Sequence, residues 1–146
     1  MPSILERRKE GSDGSADPFE PSLWRIAIAD DDPDILDLLR DALSTAEAEI
    51  IEATSGAELA NLLARCRPLD LIITDVMMPW AGGLQILRSA RAAELETPVL
   101  VVTGLPAQAV QAEVDGLGHA RLLRKPFGIG ELRSAIEALL GGRLVS

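Results

Sequence analysis

The chain has 146 residues, 47% of them hydrophobic, and its 23 acidic side chains outnumber 14 basic ones to give a net charge of −9. That length and composition suit one globular domain with a real core and exclude a chain disordered throughout. The charge argues against nucleic acid or an anionic membrane as a partner held by bulk electrostatics. One cysteine, Cys66, excludes an internal disulfide and suits a reducing cytoplasm, and no apolar run has the length of a membrane span or the form of a signal peptide.

Residues 1–22 mix Ser3, Gly11, Ser12, Gly14, Ser15, Pro18 and Pro21 with charges and hold no sustained period, which predicts a disordered N-terminal tail. Ile4 to Lys9 has the makings of one helical turn but too few apolar residues to anchor it. A single domain is expected over 23–142, with 143–146 as a short C-terminal end and no output domain after it.

Within that domain, short apolar runs alternate with helical stripes. Strands are expected at Arg25–Ala29, Glu49–Ala53, Leu69–Thr74, Pro98–Thr103 and Ala120–Leu123. The third and fourth are almost wholly apolar, as central strands covered on both faces must be. Trp24 is expected to pack at the start of the first. Ile35, Leu38, Leu39, Ala42 and Leu43 form the first helical stripe. Leu59, Leu62, Leu63 and Cys66 form the second, after a Ser55-Gly56 cap; Leu84, Leu87 and Ala90 form the third, after Gly82-Gly83. A weak fourth stripe covers Ala107–Val114, and Ile129, Leu132, Ile136, Leu139 and Leu140 make the last, stopped by Gly141-Gly142. Five successive strand–helix units predict a doubly wound, flavodoxin-like α/β fold: a five-stranded parallel sheet of order 2-1-3-4-5.

In such a sheet the loops after the strands share one edge, where ligands bind. The first strand ends in Asp30-Asp31-Asp32, the third in Asp75, the fourth in Thr103-Gly104 and the fifth in Lys125-Pro126. Asp32 has a plain role as the cap of the first helix, which Pro33 opens; that leaves Asp30 and Asp31 without a structural reason. Crowded carboxylates repel unless a proton or cation intervenes. Asp30 and Asp31, helped by Asp75 and a backbone carbonyl, are suited to a Mg²⁺ ion that keeps several waters and neutralises charge on a transferring phosphoryl group. Asp75 is the natural nucleophile, forming an acyl phosphate. Lys125 and the Thr103 hydroxyl would contact phosphoryl oxygens, and Gly104 leaves room for the group.

Four segments carry a resemblance: Ile28-Ala29-Asp30-Asp31-Asp32-Pro33, Thr74-Asp75-Val76-Met77-Met78-Pro79, Val101-Val102-Thr103-Gly104 and Lys125-Pro126-Phe127. Each is weak alone; together, in order over about 24–140, they resemble the receiver domain of bacterial response regulators. The resemblance implies Asp75 as phosphoacceptor, Asp30 and Asp31 as the acidic metal pair, and the Met77 backbone carbonyl as a further ligand. It implies Thr103 as the switch hydroxyl and Lys125 as the phosphate contact, with Pro79 and Gly83 shaping the loop after the acceptor. It also implies a cis bond before Pro126. The chain departs from the pattern at Leu122, where the family commonly carries an aromatic partner for the switch hydroxyl; there is no tyrosine at all. An aromatic flip there cannot be the readout.

The implied function is that of a stand-alone receiver in a two-component pathway or phosphorelay. It would take phosphate from a sensor histidine kinase or a histidine phosphotransfer protein and signal to a downstream protein through its helix 4–strand 5–helix 5 face. A homodimer is left open. A phosphorylation-independent binding module is the rival, disfavoured by retention of all five site residues. An aspartyl-phosphate phosphatase of the haloacid-dehalogenase kind is disfavoured by Met77, which stands where a second aspartate is needed, and by the lack of a cap domain. Met77 and Leu105, both apolar beside the acceptor, would slow attack of water on the phosphoryl group. His119, Arg65 and Arg67 are expected to be solvated, and Trp80 to lie beside the acceptor loop.

Overall fold

The computed structural model describes residues 24–44, 47–65, 68–77 and 82–140. Strands and helices alternate: β1 (Trp24–Ala29), α1 (Pro33–Ala42), β2 (Ala48–Ala53), α2 (Gly56–Arg65), β3 (Leu71–Asp75), α3 (Gly83–Ala92), β4 (Val99–Thr103), α4 (Ala107–Gly116), β5 (Ala120–Arg124) and α5 (Ile129–Leu139). Among the described residues the strands pair in parallel in the order β2-β1-β3-β4-β5. This is the flavodoxin-like α/β architecture expected from the sequence.

Alternation along the strands divides the interior in two. Ile26, Ile28, Leu71, Ile73, Leu100 and Val102 face α1 and α5, where Leu39, Leu132 and Ile136 meet them. Ala27, Ala29, Ile72, Val99 and Val101 face the other way, against Leu59 of α2, Leu87 of α3 and Val110 and Val114 of α4. β3 and β4 are buried along their whole lengths, which is why both read as almost wholly apolar runs. Trp24 is fully buried at the head of β1, as expected.

Local chemistry sets the helix starts. The Asp32 carboxylate accepts from Asp34 N at 2.9 Å, and Pro33 occupies the first helical position of α1. Ahead of α2, Ser55 Oγ accepts from Glu58 N at 3.1 Å, while Glu58 reaches back to Thr54 N at 2.6 Å and its hydroxyl at 2.9 Å. These bonds hold the Glu58 carboxyl below its ordinary value. The fourth helix runs two residues past Val114, to Gly116, and β3 begins at Leu71 rather than Leu69. His119 is exposed, as expected, yet its Nε2 lies 2.7 Å from the Leu139 carbonyl at the end of α5.

The tail expected over 1–22, Cys66, Arg67, Pro79, Trp80, the Gly141-Gly142 stop and residues 143–146 lie outside the described residues. Among the described residues no helix is long and apolar enough to cross a membrane.

Candidate functional site

β1 and β3 are neighbours, and Asp30, just after β1, and Asp75, at the end of β3, stand at the same edge of the sheet. Asp30 has no solvent exposure, and Asp75, the last residue of β3, retains only 5%. Asp31, next along the chain, is exposed. One carboxylate oxygen from each of the three lies within 4.8 Å of the others. Asp30 Oδ1 accepts from Asp32 N at 2.9 Å, and Asp75 Oδ1 accepts from Met77 N at 3.1 Å. Their other oxygens share one cation: Lys125 Nζ stands 3.0 Å from Asp30 Oδ2 and 3.0 Å from Asp75 Oδ2.

Lys125 is delivered there by the end of β5. Its backbone N–H donates to the Thr103 carbonyl at 2.7 Å, and its bond to Pro126 is cis, as the resemblance implies. Phe127, two residues on, is buried against the α1–α5 core and anchors the turn.

Burial is the largest influence on Asp30 and raises its carboxyl above the ordinary 3.8; the Asp75 charge pushes the same way, and the bonds from Asp32 N–H and Lys125 only partly offset them. For Lys125, burial is again the largest influence and pulls downward. Its bonds to Asp30 and Asp75, with their charges, together outweigh it, so the ammonium is held above 10.5. One lysine against three carboxylates leaves the cluster net negative. Hard oxygen donors converging with surplus negative charge fit a divalent cation such as Mg²⁺, so Asp30, Asp31 and Asp75 are the side chains able to hold one.

Thr103 is buried at the end of β4, and its hydroxyl accepts from Leu105 N at 3.1 Å, so it is engaged by its own loop. Gly104 is exposed, and a Cβ there would meet nothing within 4 Å. Met77 is 60% exposed beside Asp75. Leu122 pairs with Val101 and is half-buried on the α2–α3–α4 side of the sheet. Gly83 has a tighter job than shaping a turn: a Cβ on it would lie 2.3 Å from the Asp75 carbonyl oxygen. Reading by residue type did not find Thr74, whose buried hydroxyl donates to that same oxygen at 2.9 Å. A threonine inside an apolar strand gives no signal of that kind.

An acidic trio and a lysine at the carboxyl edge of a doubly wound parallel sheet define the class: a flavodoxin-like signalling domain with an acidic pocket. Residues 26–137 match the response regulator receiver domain family. The response regulator MprA of Mycobacterium leprae is 38% identical over 118 residues, covering 80% of this chain and 50% of that protein. The response regulator receiver protein CpdR of Brucella abortus is 31% identical over 116 residues, covering 80% of this chain and 96% of its own length. The chain thus spans about half the length of the MprA proteins it matches. Among solved structures, a CheY-like receiver domain protein from Methanospirillum hungatei superposes with a TM-score of 0.74 at 25% identity, over 84% of this chain and 97% of that one. A Francisella receiver domain gives 0.71 at 28%, over 80% and 95%. The chain belongs to the response regulator receiver domain family of two-component signalling. It is a receiver domain, not a conventional enzyme.

Proposed function

We propose that Asp75 accepts a phosphoryl group from a phosphohistidine of a sensor kinase or histidine phosphotransfer protein, in a Mg²⁺-dependent reaction. The observation that carries this is the shared bonding of Lys125 Nζ to Asp30 and Asp75, which puts a cation against the acceptor carboxylate. An Asp75 oxygen attacks phosphorus, the P–N bond breaks, and the imidazole leaves with the electron pair. Asp30, Asp31, Asp75 and the Met77 carbonyl would hold the metal, which supplies positive charge to the phosphoryl oxygens when bound. Lys125 exchanges a carboxylate oxygen for a phosphoryl oxygen. The Thr103 hydroxyl turns from Leu105 N–H to another, beside the open space at Gly104. Gly83 lets the start of α3 lie against the Asp75 carbonyl, and the bond from Lys125 N–H to Thr103 O holds the lysine at the site.

The readout is a shift of the α4–β5–α5 face that passes through Thr103 and its loop, with Leu122 in place of an aromatic partner. Output to another protein is the reading supported by the match to nearly the whole Brucella receiver. The setting is the cytoplasm, the domain spans 23–142, and 1–22 is its tail.

Intact mass after incubation with Mg²⁺ and acetyl phosphate tests the acceptor. One added phosphoryl group is expected, absent from Asp75→Asn and from samples without metal. No adduct, with acetyl phosphate or with a competent phosphohistidine protein, overturns the reading in favour of a phosphorylation-independent binding module.

A further inference from the structure

The α2–α3 face carries a groove of about 630 Å³. Its walls are small, with Ala60 on α2 and Ala90 and Ala93 on α3, and its apolar surface comes from Leu63, Ile86 and Leu95. None of these residues belongs to the acidic pocket. At its lower end the groove shares Glu94 and Leu95 with a second hollow, which continues past Glu96 to Asp70. Asp70 in turn marks where the chain enters the domain: its carboxylate accepts from Arg25 N at 2.8 Å, and its own N–H donates to Arg25 O at 2.7 Å. Trp24, the first described residue, therefore lies beside the second of two adjoining hollows, a trough that is apolar along α2 and α3 and acidic where the two meet.

We propose that this trough is covered by the chain's own first nine residues, with Ile4 and Leu5 in the groove and Arg7, Arg8 and Lys9 against Glu94 and Glu96. Reach permits it. The 15 peptide links from Lys9 to Trp24, through a stretch rich in Gly and Ser, have a root-mean-square span of about 20 Å. The groove itself follows α3 from Gln85 to the C-cap Ala93, about 12 Å at helical rise, and goes on to Glu94 and Leu95. A tether of that length holds the segment at an effective concentration of order millimolar, so a weak apolar contact suffices to cover the groove. Charge selects among the tail's segments. Arg7, Arg8 and Lys9 outnumber Glu6 and Glu10, whereas 11–22 carries Asp13, Asp17 and Glu20 and no base. That stretch serves as the tether, as its composition predicts. The docking does not depend on phosphotransfer, and Asp75→Asn retains it.

The test uses the full ¹⁵N-labelled chain with Cys66→Ser and a nitroxide on Ser3→Cys. The expected result is loss of amide signal at Ala60, Ala90 and Leu95 relative to the reduced spin label, with α1 and α5 unaffected. The double substitution Ile4→Asp, Leu5→Asp restores those signals. Three results overturn the proposal: no loss in the groove, equal loss on α1 and α5, or loss that the double substitution leaves unchanged. Loss that appears only when spin label and ¹⁵N are on different molecules also overturns it, because the occupant is then a second copy.

Discussion

A methyl group at position 83 has nowhere to go. The carbonyl it would strike, at 2.3 Å, belongs to the backbone of Asp75 itself, and that oxygen already receives the Thr74 hydroxyl. That 2.3 Å contact is with backbone and not with the end of a side chain, so relief requires α3 to lift away from β3. Gly83→Ala should cost about 1–3 kcal/mol of stability, as overpacked sites do, and should slow phosphoryl labelling of Asp75 by shifting its backbone. Urea unfolding and the rate of mass gain with acetyl phosphate measure the two effects. A variant with the parent's midpoint and labelling rate would show that the contact relaxes without consequence. The residue type at 83 was legible in the sequence as a turn; the contact was not, because it depends on how closely one helix start approaches one strand end.

Helices and strands were legible because each buries a periodic stripe. Leu39, Ala42 and Leu43 of the α1 stripe and Leu132, Ile136, Leu139 and Leu140 of the α5 stripe are buried. Ile35, Leu38 and Ile129 are half-buried against the same core, and Leu36, outside the stripe, is buried as well. The fourth helix read weakly for a physical reason: only Val110 and Val114 are buried along it, and its N-cap, Pro106, supplies no side-chain bond. What no stripe reveals is how the lower ends of these elements are tied. Arg91, in the last turn of α3, donates through Nε to Leu117 O at 2.7 Å and through Nη1 to Leu95 O and Thr97 O, both at 2.8 Å. Its Nη2 reaches His119 O at 3.1 Å. One guanidinium thus joins α3, the approach to β4 and the turn between α4 and β5. Burial lowers its pKa, opposed by the charge of Glu96. The partners are carbonyls, which every residue type has, so the sequence carries no trace of the arrangement. Arg91→Met should destabilise the fold by about 2–3 kcal/mol, since it strands acceptors that are partly buried. Arg91→Lys should recover only part, because an ammonium cannot span the same fork. Thermal unfolding of the pair decides it, and equal stability of Met and Arg would remove the staple from the account.

At the scale of the whole molecule, the acidic pocket is where β1, β3 and the turn after β5 meet, and topology made that convergence readable across almost the full domain. The sequence showed which charges gather but not how they balance before any metal arrives, since that depends on the distances of one lysine to two carboxylates. Asp30 is the group under strain. A carboxyl raised by burial binds its proton more tightly in the folded state, so its contribution to stability is full below the unfolded value near 3.8 and is lost as pH rises through the folded one. In EDTA, then, Asp30→Asn should gain in thermal stability relative to the parent as pH is raised from below 3.8 toward neutrality. Mg²⁺ should reverse the order: at ten times its dissociation constant it adds about 1.4 kcal/mol to the parent by mass action and much less to the variant, which has lost a donor. Melting curves of both proteins across pH, with and without Mg²⁺, separate the charge effect from simple repacking. If the variant is less stable than the parent in EDTA at neutral pH, Lys125 alone compensates the buried charge, and a cation is not what the apo pocket lacks.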